Sequence, residues 1–505
     1  MSRSSEKNEE VTAVLEKPQP LPDEDLQRPN FLFFFVDQLR SHALSCYGET
    51  NIQTPNIDRL ASEGVLFSNA IATCPVCTPS RGMFVTGRYA THSGVVVNFV
   101  NINPRAGSIA DLFAHAGYRT GFIGKWHLNS GYHTDSGKHF AGLPEAQQRR
   151  ARDRVHDLIQ NHHETEFVPP GPQRMGFEYW AAYNFHMNFA NAWYFRDSPE
   201  PLPMPRYETD HETDLAIEFM KQHISSPDPF FLAVAPHPPH PPWSEAQSPP
   251  GFLEKVKPHL DWRPNVPKEF DVRGGDPRAY FAMTSNIDDN IGRIMRFLDE
   301  SGLAANTVVV FTSDHGEMLF SHNRTAKMAP YEESVSVPLI VRWAGHTPSR
   351  SRSDILYTWM DHMPTLLSLA GIEVLTEIDG IDLSPAILGR PACERDAALI
   401  ANYVSDYNYF DSGTHFPEWR GVRTKTHTYV KWLDGKEELY DNLSDPYQMT
   451  NLAEDRHDLP TLREMRSTLK DLLAEAHDEF LPGTAYADWY DDRRNLIRTP
   501  LGPVR

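Results

Sequence analysis

The sequence predicts an α/β protein: a large, mostly parallel sheet sandwiched by helices, followed by a smaller C-terminal antiparallel-sheet subdomain. Three observations point there. Short apolar runs, FLFFFV (31–36), PFFLAVA (229–235) and TVVVFTS (307–313), suit strands buried on both faces. Capped, amphipathic helical stretches separate them, as crossover connections between parallel strands require. Beyond about residue 390 the runs AALIANYV, WRGVRTKTHTYVKWL and EELYD follow one another closely, as antiparallel strands do.

In chain order, residues 1–29 are polar, charged and proline-containing, which predicts a disordered tail. They lack the basic-then-apolar pattern of a signal peptide. FLFFFV ends at Asp37. TPNIDRLASEGVLFSNA (54–70) then places Thr54 at a helix N-cap, Pro55 at the first helical position and Gly64 near the stop. PVCTPSRGMFVTGRY (75–89) reads as a helix after Pro79, ending near Gly87. SIADLFAHAGYRTGFIGKWHL (108–128) is a capped helix, a glycine stop and a strand delivering Lys125, Trp126 and His127. The stretch 138–175 reads as an insertion loop. Helix TDLAIEFMKQH precedes PFFLAVA, which runs into PHPPHPPW. A long helix near 276–300 precedes TVVVFTSDHGE, then come VPLIVRW and the helix in TWMDHMPTLLSLAG, and a last helix falls near 458–479. The expected division is a tail (1–29), the main α/β domain (30–390) and a C-terminal subdomain (391–505).

Composition limits the function classes. Hydrophobic residues are 40% and aromatics 11% of the 505, enough for a substantial core and unlike a disordered or fibrous chain. The net charge of −20 argues against a nucleic-acid partner, and any anion site must be locally positive. Four cysteines are too few for a disulfide scaffold. The six-residue apolar run is far short of a membrane span, so a soluble, cytoplasmic protein with no membrane partner is expected.

In open α/β sheets, ligands bind beyond the carboxyl ends of the strands. At those ends lie Asp37 and Gln38, Lys125 and His127, His237 and His240, and Asp314 and His315. Asp37–Gln38 and Asp314–His315 form an oxygen-rich set for a hard divalent cation; each aspartate alone reads equally as a cap or turn residue. PHPPHPPW holds its imidazoles in a stiff loop, as ligands or as idle surface groups. NHHETE (161–166) lacks helical H-E-x-x-H spacing and reads as a solvated loop. Cys46, Cys74 and Cys393 read as small buried hydrophobes. Cys77 differs, because it lies at a helix N-terminus with Arg81 one turn on. A thiolate nucleophile would fit there, yet no Cys–His–Asn signature surrounds it.

CTPSR (77–81), followed by TGRY (86–89), resembles the signature of type I, formylglycine-dependent sulfatases in the alkaline phosphatase superfamily. TPNIDRLASEGVLFSNA, GYRTGFIGKWHL, SNIDDNIGRI, FTSDHGEMLFSHNRTAKMAPYEESVSVPLIVR, DHMPTLLSLAGI and ELYDNLSDPYQMTNLA resemble further family blocks, in order, over most of 30–455. The resemblance implies an alkaline-phosphatase-like sheet and hydrolysis of a small-molecule or carbohydrate sulfate ester. It implies that Cys77 is oxidised to formylglycine by a formylglycine-generating enzyme. One divalent cation, calcium with magnesium or manganese as alternatives, would be held by Asp37, Gln38, Asp314, His315 and residue 77. Arg81 would orient residue 77, and Lys125, His127 and Lys327 would contact sulfate. His240 or Lys327 would give the leaving alcohol its proton. Asn98 and His237 would be further substrate contacts. Gln38 and His315 depart from the family's usual Asp and Asn, leaving open whether Gln38 meets metal or substrate. Relatives that hydrolyse phosphonate monoesters or phosphodiesters share that pair, so such an activity, alone or beside sulfatase activity, is the alternative. Lys125 and His127 in GKWH favour a sulfate monoester. Aromatics in 183–195 read as a substrate cradle or as core. The stretch 487–505 reads as a segment wrapping a neighbouring subunit in a homo-oligomer.

Overall fold

The computed structural model describes residues 28–131, 166–269, 275–374, 376–405, 417–454 and 459–504. Most of the expected tail, 138–165 of the expected insertion loop and 161–165 of NHHETE lie outside them.

β1 (Asn30–Val36) shows why a continuous apolar run makes a central strand. Alternate side chains enter opposite cores. Phe31, Phe33 and Phe35 pack with α2 (Cys77–Thr86), α3 (Ile109–His115) and α6 (His362–Leu369). Leu32, Phe34 and Val36 pack with α1 (Pro55–Ser62), α4 (Glu208–Lys221) and α5 (Pro277–Ser301). Phe33 stacks on Phe84 of α2 at 4.4 Å between ring centroids. The sheet is thus covered by helices on both faces.

Its other strands are β2 (Val65–Ile71), β3 (Arg119–Lys125), β4 (Tyr179–Tyr183), β5 (Phe230–Ala235), β6 (Thr307–Ser313), β7 (Leu339–Trp343) and β8 (Ser351–Thr358). Across the sheet the order is β8-β2-β7-β6-β1-β5-β3-β4. Every neighbouring pair is parallel except those made by β7, which runs antiparallel to both β6 and β2. The second sheet, β9 (Ala397–Asn402), β10 (Trp419–Thr424), β11 (His427–Trp432) and β12 (Glu437–Asp441), is wholly antiparallel. It packs beside α7 (Pro460–Glu475). No helix among the described residues is long and apolar enough to cross a membrane.

Several local expectations need correction. The helix of PVCTPSRGMFVTGRY begins at Cys77 itself, with Val76 extended before it. Thr54 occupies the N-cap of α1, but its hydroxyl accepts from Ser45 N–H; the first helical N–H groups, of Asn56 and Ile57, donate instead to Asp288 Oδ1 at 3.0 and 2.8 Å. Cys393 is exposed and Cys46 half-buried, so of the three packing cysteines only Cys74 is fully inside. Glu166, from NHHETE, is buried, and its carboxylate accepts from Phe185 N–H. The stretch from 487 returns to its own chain. Tyr490 Oη donates to the carbonyl of Gly94, and Asn101 N–H donates to Arg494 O at 3.0 Å. Leu496 sits so close to Gly94 that an added Cβ would lie 2.4 Å from it, at φ +72°. Apolar side chains at Trp489, Tyr490 and Leu496 are therefore accounted for within one subunit.

Candidate active site

Strand order assembles the site. β6, β1, β5 and β3 are consecutive neighbours, so residues leaving their carboxyl ends, Asp314, Asp37, His237 and Lys125, stand side by side. Gly124 permits this crowding: its φ is +98°, and a Cβ there would lie 2.4 Å from the Ala235 carbonyl oxygen. Cys77 joins them from the first position of α2. Its Sγ lies 3.2 Å from His315 Nε2, 3.3 Å from Lys327 Nζ and 3.7 Å from Asp37 Oδ1. The start of α2 has no side-chain cap at Val76; Asn98 Oδ1 accepts from Thr78 N–H at 2.9 Å, and Thr78 Oγ1 donates to the His127 carbonyl. Asn98 thus fixes the helix that carries Cys77.

Arg81, one turn on, is 1% exposed. Its Nη2 donates to Asp37 Oδ2 and Asp314 Oδ2, both at 3.1 Å, and its Nη1 to the Lys125 carbonyl. One guanidinium thereby ties β1, β6 and β3 together. Lys125 Nζ donates to Asp37 Oδ2 at 2.6 Å and to His237 Nε2 at 3.0 Å. Lys327 Nζ donates to Gln38 Oε1 at 2.6 Å. Because a lysine only donates, this contact settles which end of the Gln38 amide is oxygen; its Nε2 donates to Glu317. Burial by itself would raise the Asp37 carboxyl, but Lys125, His240, Lys327 and Arg81 hold it well below the usual carboxylate range. Burial and the Asp37 charge together raise Asp314.

That opposition tests whether a cation fits. Two dry carboxylates repel one another where Asp37, Cys77, Asp314 and His315 offer ligand atoms all within 4.8 Å. The two carboxylates are the hard oxygen donors that calcium, magnesium or manganese takes, and His315 and residue 77 complete the group. The residues fit the cation that the sequence implies. A second group, Asp37 with His237 and His240, also converges within 4.8 Å.

The histidines stand on the other side of Lys125. His127, at φ +54°, is wedged between the rings of Phe99 and Phe185, each 4.6 Å away. Neither of its buried ring nitrogens has a hydrogen-bond partner among the described residues. Burial, then Lys125 and Arg81, holds its pKa well below that of a free imidazole. His240 is pushed the same way by burial and Lys327. Its Nδ1 lies 2.6 Å from the Pro241 carbonyl, which only accepts, so the proton is on Nδ1 and Nε2 carries a lone pair. All twelve residues singled out from the sequence, from Asp37 to Lys327, are buried and belong to this one constellation.

Residues 29–372 match the family model named Sulfatase, and residues 321–476 match that of the N-sulphoglucosamine sulphohydrolase C-terminal region. The chain belongs to the sulfatase family. An ulvan-active sulfatase of Formosa agariphila is 30% identical over 472 residues, covering 92% of this chain and 84% of that protein. An N-acetylglucosamine-6-O-sulfatase of Bacteroides thetaiotaomicron is 28% identical, covering 85% and 83%. A solved putative sulfatase from Bacteroides fragilis superposes with a TM-score of 0.76 at 28% identity, over 92% of this chain and 99% of that one. The protein is a sulfatase, an enzyme that hydrolyses sulfate esters, with the fold of the alkaline phosphatase superfamily.

The sulfatase site also holds residues that the sequence did not single out. Glu317 accepts from Gln38 and, through Oε1, from the N–H groups of Leu319 and Ala326, bracing the loop that delivers Lys327. Phe185 lies against Lys125, 4.7 Å from its ring centroid, and against His127, His237 and His240. Of the aromatics in 183–195 it lines the site and Phe189 packs on His237 from the core side at 5.2 Å, whereas Trp193, Tyr194 and Phe195 are core. Glu208 accepts from Tyr183 Oη at 2.6 Å and from His237 N–H at 3.1 Å, and burial raises its pKa to about 8. Glu317 follows Asp314–His315–Gly316 directly, a signal that was available. Glu208 lies 29 positions from His237, and nothing local marks it.

Proposed function

We propose that this sulfatase cleaves a sulfate monoester from a carbohydrate, using residue 77 as formylglycine together with one divalent cation, calcium before magnesium or manganese. Asp37, Asp314, His315 and Gln38 Oε1 would hold the ion. The observation that carries the reading is the convergence of Lys327 Nζ, His315 Nε2 and Asp37 on the buried Cys77 side chain at a helix N-terminus. When present, the ion supplies Lewis-acid charge for the oxygens beside it, and the hydrated aldehyde supplies an oxygen nucleophile.

The remaining work belongs to this chain's side chains. Arg81 orients residue 77 and keeps two carboxylates in place. Lys125, with the paired α2 N-terminus, offsets sulfate charge that the overall −20 would repel. His127 has both ring nitrogens to spare, so it is a neutral imidazole able to hold a sulfate oxygen or take a proton from residue 77. For the leaving alcohol, Lys327 is the better proton donor than His240. Burial opposes charge on Lys327 while the carboxylates of Asp37 and Asp314 favour it, whereas the His240 proton sits on Nδ1 against the Pro241 carbonyl. The ulvan and N-acetylglucosamine names of the relatives support a sulfated saccharide as substrate.

The Gln38–His315 pair favours a second reading, phosphonate monoester or phosphodiester hydrolysis at the same site. Turnover of N-acetylglucosamine 6-sulfate and an aryl sulfate, measured against phenyl phosphonate monoester, decides between them. Faster sulfate release is expected; a higher kcat/KM for the phosphonate would make the second reading the principal activity.

A further inference from the structure

A cleft of about 440 Å³ is lined by Arg40, His42, Trp262, Arg263 and Tyr447, together with the carboxylates Glu49 and Asp261. None of these belongs to the constellation around Cys77. Arg40 is only 3% exposed, and its Nε and Nη1 find no hydrogen-bond partner among the described residues. Leaving a buried guanidinium unpaired costs stability, so the group invites an acceptor. Its main chain is held, with Arg40 N–H donating to Tyr280 Oη at 3.1 Å.

Each nearby carboxylate already has donors, and one of them, Glu333, is the partner of Arg263 itself. Glu49 Oε1 accepts from the N–H groups of Thr50 and Asn51. Asp261 Oδ2 accepts from Lys257 at 2.6 Å and from Thr50 Oγ1 at 3.1 Å. Glu333 accepts from Arg263 Nε at 2.7 Å and Asn265 Nδ2 at 2.8 Å. Burial, with Arg263 and Arg40 against Glu333, pushes the pKa of His42 down to about 3. Beside the cations, Trp262 is 36% exposed, and Arg263 rides 4.9 Å over the ring of Tyr447.

We infer that this cleft is a second anion site, which takes the sulfate or carboxylate of a sugar residue on Arg40 and Arg263, with Trp262 as the face for the sugar ring. Planar guanidinium groups match oxyanions two bonds at a time, and aromatic faces match sugar rings. The sugar half rests on the proposed carbohydrate substrate; the anion half does not.

Calorimetric titration of the Cys77→Ala protein with inorganic sulfate tests the anion half. Two binding events per chain are expected, one of them lost in Cys77→Ala/Arg40→Met. A single event, or two events surviving in a folded Arg40→Met protein, overturns the site. Should Arg40→Met not fold, crystals of Cys77→Ala soaked in selenate decide, through selenium within hydrogen-bond reach of Arg40. No selenium there, or selenium without a second event in solution, which marks an adventitious ion only, overturns it equally. For the sugar half, Trp262→Ala is expected to weaken N-acetylglucosamine 6-sulfate at this site about tenfold while leaving inorganic sulfate unchanged. Equal effects on both probes refute that half. Failure of the proposed substrate is read separately, from turnover by the unsubstituted enzyme.

Discussion

Residue 77 is where chemistry and burial meet, because its 1% exposure leaves it contacts with Lys327, His315 and Asp37 but almost none with solvent. Cys77→Ala is expected to fold with an unchanged melting curve and to lose at least about a thousandfold in kcat, as enzymes deprived of their nucleophile do. In the active protein, the peptide containing residue 77 should have lost sulfur and two hydrogens and gained one oxygen; an intact thiol in fully active protein would end the formylglycine reading. The depressed imidazoles give a pH prediction. Protonating His127 or His240 removes a lone pair, and a lowered pKa moves that loss to lower pH. The acid limb of kcat/KM for an aryl sulfate should therefore fall below about 6.5, the ordinary imidazole value; a limb at 7 would mean that some other group controls it. Asp37, Asp314, Lys125 and His127 were legible in sequence because each ends an apolar run. The helix-fixing role of Asn98 and the support from Glu208 were not, since hydrogen bonds between distant segments leave no periodic trace.

At the scale of elements, β1 and α5 show two kinds of legibility. FLFFFV has the composition of a strand buried on both sides and becomes one, whereas β2 hides behind the end of α1 and β8 begins with polar SRS, of which Arg352 is exposed. Pro55 marks the start of α1 correctly, but the group that caps it, Asp288, is 232 positions from Asn56. Removing this cap leaves N–H groups unpaired inside the protein. Asp288→Ala should cost about 2 kcal/mol of stability, measured by denaturant unfolding, and Asp288→Asn less. No change in the alanine variant would show that water replaces the carboxylate. For the sheet, Phe33→Ala opens a cavity against Phe84 and should cost about 3–5 kcal/mol.

Over the whole molecule, strand order does what sequence patterning could not specify. The alternation of strands and helices predicts a mostly parallel sheet, but not that β7 reverses direction or that the four strand ends carrying the candidate site are immediate neighbours. The stretch from 487 teaches a related lesson: Tyr490 and Leu496 are covered by the subunit's own 94–101 segment, while Ile497 and Leu501 stay exposed. Ending the chain after residue 486 is therefore expected to lower the melting temperature while leaving the sedimentation coefficient that of the same oligomeric state. Dissociation of an oligomer with unchanged melting would reverse this assignment.

Tyr490 meets Gly94 across 396 positions of sequence, and the 94–101 segment in turn holds Asn98 on the α2 start. During translation, the contact that Tyr490 makes with this segment can form only long after the Cys77 helix leaves the ribosome. The conversion proposed for residue 77 would have to fall in that interval, before the finished fold closes the side chain off.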